Sequence, residues 1–96
     1  MSRVILRLSA EHPSLAGHFP GRPIVPGAVL LDEILAAIER SQGLGPVAWT
    51  VKWVKFMRPV LPGNELALEM TMTPVGEIRF RCWTGELEAI AGLVRA

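Results

Sequence analysis

Three features of the 96-residue chain predict an α+β domain: a short alternating segment near the start, one long apolar helical run, and a second half that keeps to period two. Between the first two lies a loop dense in proline and glycine. One helix this apolar beside a twisted sheet is most simply covered by wrapping the sheet around it, an antiparallel sheet of about five strands. The length suits one domain, so residues 1–96 are read as a single unit.

Arg3 to Leu8 alternates, with Val4, Leu6 and Leu8 on one side, and reads as a strand. The loop follows, carrying Pro13, Pro20, Pro23 and Pro26 with Gly17, Gly21 and Gly27. From Gly27 to Arg40 only helix formers appear; Pro26-Gly27 suits the entry and Ser41-Gln42-Gly43 the exit. The apolar side of this helix is broad, which predicts a helix mostly wrapped by other structure.

After Gly45-Pro46 the period changes. Trp49, Val51 and Trp53 alternate with Thr50 and Lys52, and the phase shifts at Val54, as at a bulge. Leu66, Leu68, Met70 and Met72 form the cleanest one-faced strand. Ile78, Phe80 and Cys82 make the next, and Leu87, Ala89, Ala91 and Leu93 the last, with Gly92 as its weak point. Turn signals at Pro62-Gly63-Asn64, Pro74-Val75-Gly76 and Thr84-Gly85 predict antiparallel neighbours in chain order.

A net charge of +1 offers no argument for nucleic acid or a membrane surface. No apolar run approaches the roughly 18–20 residues of a membrane span. The N-terminus, interrupted by Arg3 and Arg7, does not read as a secretory signal. The single cysteine, Cys82, excludes an intramolecular disulfide and fits a reducing compartment, so a cytoplasmic protein is expected. Half of the residues are hydrophobic, and apolar surface in excess of what one small core buries predicts at least a homodimer. The face of Trp49, Val51 and Trp53 is read as core or dimer interface.

The candidate chemistry gathers around the loop. His18 can take and return a proton near neutrality, and it sits among residues that fix φ and permit close approach. His12 lacks that setting and reads as a loop hydrogen-bonder. Gly27 offers a backbone N–H at a helix start, where amides have no internal partner and negative charge is favoured. It reads equally as a plain helix entry or as an oxyanion site. Asp32 and Glu33 follow, each about 130° from the centre of the stripe Leu30, Leu31, Ile34, Leu35, Ile38, on opposite sides, so helix geometry does not choose between them. Either acid, if buried, would be a candidate general acid. Cys82 has no activating neighbour in sequence and reads as buried and inert.

Two stretches carry a resemblance. His18-Phe19-Pro20-Gly21-Arg22-Pro23-Ile24-Val25-Pro26-Gly27 resembles the signature loop of the bacterial β-hydroxyacyl-(acyl carrier protein) dehydratases, which have the hotdog fold. Val54-Lys55-Phe56-Met57-Arg58-Pro59-Val60-Leu61-Pro62-Gly63-Asn64-Glu65-Leu66 is similar to their Lys-Phe-x-Arg-Pro-Val-x-Pro-Gly-Asp-x-Leu segment. The two motifs in order let the resemblance cover nearly the whole chain.

The resemblance implies one long helix wrapped by the sheet and two subunits joined sheet edge to sheet edge, and it does not choose between a dimer and a hexamer. It implies dehydration of a 3-hydroxyacyl thioester, on acyl carrier protein or coenzyme A, to the trans-2-enoyl thioester, in fatty-acid or polyketide-like biosynthesis, without metal or organic cofactor. His18 would remove the α-proton. The family's carboxylate lies at the position of Asp32, making Glu33 the lesser candidate, and would come from the partner subunit to protonate the departing hydroxyl. The Gly27 amide would hold the thioester carbonyl oxygen. Arg22, Lys55 and Arg58 are candidates to meet the acidic carrier, with Lys52, Arg79 and Arg81 behind them.

The chain departs from the family at Ala36, where a glutamine is common, and at Ala28, where valine is usual. These departures and the short chain fit an accessory dehydratase, for instance of an aryl-polyene-type pathway. A hotdog thioesterase using Asp32 or Glu33 to direct water is the nearest rival. A non-catalytic acyl-binding or partner subunit is the reading from another class.

Overall fold

The structure, a computed structural model, describes residues 2–7 and 25–96. It contains β1 (Ser2–Arg7), α1 (Gly27–Gln42), β2 (Thr50–Phe56), β3 (Glu65–Met72), β4 (Ile78–Thr84) and β5 (Leu87–Arg95). The strands form one antiparallel sheet in the order β1-β3-β4-β5-β2. Leu30, Ile34, Ala37 and Ile38 of α1 share one core with Leu66, Leu68, Met70, Phe80, Cys82, Ile90 and Val94 of the sheet. Among the described residues one helix lies on one five-stranded antiparallel sheet, the α+β architecture expected.

The order corrects one expectation. β2 and β3 are not neighbours; β2 pairs with β5, three strand spacings (about 14 Å) from β3. The turn at Leu61–Asn64 is real, with Asn64 N–H donating to the Leu61 carbonyl at 3.1 Å and Gly63 at φ 86°. It belongs to a crossing segment rather than a hairpin. Pro59 and Pro62 keep that segment out of the ladder, and Val60 buries itself on the way across. The other two turns do close hairpins. Gly76 takes φ 82° and donates to the Thr73 carbonyl, while Gly85 at φ 60° opens the two-residue loop between Thr84 and Leu87.

Two bulges decide which side chains face α1. In β5, Ile90 pairs with Cys82 and Glu88 with Trp83, leaving Ala89 as the extra residue. The row facing α1 is therefore Ile90, Gly92 and Val94; of the expected face Ala89 and Ala91 are buried as well, but Leu87 is exposed and Leu93 half-buried. In β2 the shift lies between Val51 and Trp53 rather than at Val54. Val51 stands opposite buried Val94 and Trp53 opposite Leu93, so the two lie on opposite sides of the sheet instead of sharing a face. Trp49 alone of that trio packs against the core.

Gly92 is a requirement of the packing rather than a weak point. A Cβ there would lie 2.3 Å from Phe80 Cζ and 2.6 Å from Cε1, so the Phe80 ring occupies the space a side chain would need. Phe80 is fully buried and sits opposite Gly92 in the β4–β5 ladder.

The helix begins at Pro26, whose carbonyl accepts the first helical bond from Leu30, and ends at Gly43 in the left-handed region with φ 67°. Leu44 N–H closes that end on the Glu39 carbonyl. The Glu39 carboxylate, half-buried, accepts bonds from Val47 N–H and Trp49 Nε1 at 3.1 and 2.9 Å, tying the helix end to the entry of β2. The described residues cover the helix on one side only. Its buried residues centre between Leu30 and Ile34, about 45° from the centre of the full apolar stripe, while Leu31 and Leu35 are half-buried.

Replacement of Gly92 by alanine is expected to cost about 1–3 kcal/mol of unfolding free energy, read from urea denaturation, because a packed ring must move. Gly92→Ala combined with Phe80→Leu should cost less than the two single changes added together, since both act at one contact.

Candidate active site

The loop that carries His12, His18 and Arg22 lies outside the described residues. Both of its flanks are described, and they meet the second motif directly. Val25 N–H donates to the Val60 carbonyl at 2.8 Å, and both side chains are buried. On the other flank of the crossing segment, Met57 and Arg58 both donate N–H bonds to the carbonyl of the bulged Ala89, at 2.7 and 3.3 Å. The two motifs are thus bound to each other and to β5 by backbone bonds.

Between them opens a groove of about 370 Å³ lined by Val25, Gly27, Leu30, Phe56, Met57, Arg58, Pro59 and Val60. Its walls are apolar, with the first residue of α1 at one side and the Arg58 guanidinium as its charged member. Gly27 is half-buried there. Its amide precedes the first helical bond, which is made by Leu30, so it has no helical acceptor and lies at the positive end of the helix dipole. The groove can hold an acyl chain and offer its oxygen a backbone donor. Phe56, missed as a site residue by sequence reasoning, supplies the wall beside Gly27; its position in the second motif was the available signal.

The two acids separate. Glu33 lies about 85° from the centre of the buried side of α1, is half-buried, and lines a smaller hollow of about 170 Å³ against β1 with Ile5, Leu6, Arg7, Leu30, Arg40 and Leu66. Asp32 lies about 175° from that centre and is exposed. Neither candidate acid of α1 is buried within one chain, Asp32 being exposed and Glu33 half-buried, so the burial that would make either a candidate general acid is not supplied by the described residues. Asp32 is not part of the groove that Gly27 lines.

The basic candidates also divide. Arg58 lines the groove. Lys55 does not: it pairs across from Ala91, on the side of the sheet away from α1, whereas Phe56 beside it stands opposite buried Ile90. Arg81 lies on that same outer side, bonded to Glu88 and with its guanidinium 4.8 Å above the Trp83 ring. The hydrogen bond from Arg81 holds the Glu88 carboxyl below its ordinary range, and the Lys55 charge adds to this. Lys52 lies 3.9 Å from Glu77, and Arg3 lies 3.6 Å from Glu69. Among the described residues these cations are thus matched by acids across the outer face.

Cys82 is fully buried, and burial pushes its thiol up to about 12. It is inert as expected. Met70 belongs to the core, Met72 is exposed at a strand end, and only Met57 of the three reaches the groove. No described helix is long and apolar enough to cross a membrane.

Comparison with known proteins identifies the surroundings. The family described as ApeI-like, ApeI dehydratase, matches residues 2–92. A 3-hydroxyacyl-[acyl-carrier-protein] dehydratase FabZ of Alkaliphilus metalliredigens is 36% identical over 94 residues, covering 85% of this chain and 63% of its own length. The chain spans 55% of the FabZ of Natranaerobius thermophilus, so these relatives extend well beyond the matched region. The dehydratase heterocomplex ApeI:P from Xenorhabdus doucetiae superposes with a TM-score of 0.78 at 27% identity, over 97% of this chain and 83% of that one. A probable thioesterase from Bartonella henselae shares the fold at 15% identity, TM-score 0.68, over 97% of this chain and 84% of its own. The single hotdog domain expected from the motifs is thereby the fold observed.

Burial of Cys82 predicts an alkaline loss of stability. The unfolded thiol releases its proton near its ordinary value of 9.0, whereas the folded thiol keeps it until about 12. Above pH 9 the folded state therefore binds more protons, and stability falls as pH rises, by about 1.4 kcal/mol at pH 10 from this group. Urea unfolding at pH 8 and pH 10 should show that decrement in the wild type and its absence in Cys82→Ala.

Proposed function

The chain belongs to the ApeI-like dehydratase family, and on that premise we propose that it dehydrates a 3-hydroxyacyl thioester to the trans-2-enoyl thioester in fatty-acid or polyketide-like biosynthesis. The substrate is carried on acyl carrier protein or coenzyme A. The observation that carries this reading is the groove at the start of α1, where the described parts of both motifs meet beside the Gly27 amide, which precedes the first helical bond.

In the proposed reaction the thioester carbonyl oxygen accepts a hydrogen bond from Gly27 N–H. Negative charge develops on that oxygen as His18 removes the proton from C2, and the helix dipole favours it. The C3–O bond breaks, the hydroxyl leaves as water with a proton from Asp32, and the C2–C3 double bond forms. His18 gives its proton to solvent and Asp32 takes one back, which resets both groups for the next turnover. Arg58, in the groove wall, is the basic residue best placed to meet the phosphate of the carrier arm, ahead of Lys55 on the outer face.

Asp32 points away from the core of its own chain and is not part of its own groove. This supports a site completed by a second subunit, with Asp32 supplied across the interface. The open edge of the sheet supports the same assembly: Val51, Trp53, Phe56 and Met57 are all large apolar residues left exposed on β2 and its exit. A homodimer joined along β2 covers both features. The heterocomplex formed by the Xenorhabdus relative favours a second reading, in which a related but different chain occupies that edge.

Incubation of the protein with 3-hydroxyacyl carrier protein is expected to yield the enoyl thioester. His18→Ala and Asp32→Asn should each lower turnover by at least about 100-fold. An equimolar mixture of the two variants, refolded together, should recover about a quarter of wild-type activity, because half of the dimers are mixed and one of their two sites is intact. Absence of wild-type turnover, or unchanged turnover in both variants, rejects the reading. Release of free thiol instead of enoyl product selects the thioesterase. Activity that appears only on adding a homologous subunit selects the heteromeric reading.

A further inference from the structure

Phe56 closes β2 on the side of the sheet that faces α1, opposite the fully buried Ile90, yet it is 46% exposed. A phenyl ring on the inner side remains that open because it borders the groove rather than filling the core. Its far edge abuts the helix start: a Cβ on Gly27 would lie 3.1 Å from Phe56 Cζ and 3.3 Å from Cε1 and Cε2. A side chain at position 27 would therefore begin in tight contact with the ring, which would have to give by a few tenths of an ångström.

Its backbone is held on both sides. Phe56 is in the β2–β5 ladder, and the next two amides, Met57 and Arg58, share the Ala89 carbonyl. The bulge at Ala89 thus fixes where β2 ends and where the ring can stand. The groove wall beside Gly27 is thus an aromatic edge carried on a fixed backbone.

We propose that Phe56 is the residue that excludes substituents on the α-carbon of the acyl group, so that the site accepts unbranched 3-hydroxyacyl thioesters and rejects 2-methyl ones. This rests on the reading above, in which Gly27 N–H binds the thioester oxygen. Gly27 and Phe56 line the same groove and the Gly27 Cα faces the ring edge, so an oxygen held by the Gly27 N–H brings the carbonyl carbon and C2 into the part of the groove that Phe56 walls. A methyl group on C2 meets the ring, whereas added length at the far end of the chain does not. Dehydration itself remains available to the branched substrate, since C2 still carries one proton for His18 and the hydroxyl still leaves C3 as water.

The test compares kcat/KM for unbranched and 2-methyl 3-hydroxyacyl carrier protein (both C2 epimers), in wild type, Phe56→Leu and Phe56→Ala. The 2-methyl to unbranched ratio is expected to rise by about tenfold or more in Phe56→Ala and by less in Phe56→Leu, the usual scale for one methyl group. The ratio between long and short unbranched chains should stay constant. A parallel fall for all substrates, or an unchanged 2-methyl to unbranched ratio, overturns the inference while unbranched turnover leaves the dehydratase reading standing. Absence of wild-type turnover on the unbranched thioester overturns both. A readout independent of chemistry checks the contact: Gly27→Ala should lower the melting temperature in the wild-type background and lower it less in Phe56→Ala. Equal shifts in the two backgrounds overturn the inference.

Discussion

One helix has to cover the inner face of five strands, and the rest of the structure follows from how it does so. α1 settles its Leu30, Ile34, Ala37 and Ile38 side on Leu66, Leu68, Met70, Phe80, Ile90 and Val94. Among the described residues nothing polar or charged is buried in this core. Burial of roughly a dozen large apolar side chains, each worth about 1.5–3 kcal/mol, dominates the ordering of the chain. Once that side is committed, every other residue of α1 has its direction assigned. Asp32 is turned to the open side and Glu33 to the flank beside β1.

The sheet adapts to the helix by local irregularity rather than by uniform curvature. The bulge at Ala89 turns Ile90, Gly92 and Val94 inward together, and the missing side chain at Gly92 lets Phe80 lie across the sheet beneath the helix. The shift in β2 sends Val51 and Trp53 to opposite faces. The same Ala89 carbonyl that the bulge exposes then binds two amides of the crossing segment, Met57 and Arg58. Core packing and groove geometry are thus coupled through one residue of β5.

The element types were legible in the sequence because period two and the helical run are local signals, and the turn glycines mark their ends. Strand order was not. Leu61–Asn64 carries the residues of a hairpin turn, yet β2 goes to the far edge because Pro59 and Pro62 cannot join a ladder and Val60 is drawn into the core. Neither was the β5 face: Ala89 and Ala91 are small enough to fit either phase, and the two strongest residues, Ile90 and Val94, lay in the other one. The place of the groove was legible through the two motifs, since Gly27 of the first and Arg58 of the second both line it. The site was less legible through helix geometry. The two acids looked equivalent about a stripe that included Leu31 and Leu35, residues that the core covers only in part.

That partial cover connects the fold to the proposed chemistry. A chain with half its residues hydrophobic leaves Leu31 and Leu35 half-covered on α1 and four large apolar groups exposed along β2 and its exit. A second subunit that buried these surfaces would also meet Asp32, which lies on the open side of the helix. The drive to bury apolar surface and the need for a carboxylate near the groove would then be met by the same association. Among the described residues no acid is buried within one chain, and such an arrangement needs none. An aspartate held inside the core would be desolvated before substrate arrived, whereas one at an interface can be positioned by the partner and still exchange its proton with water.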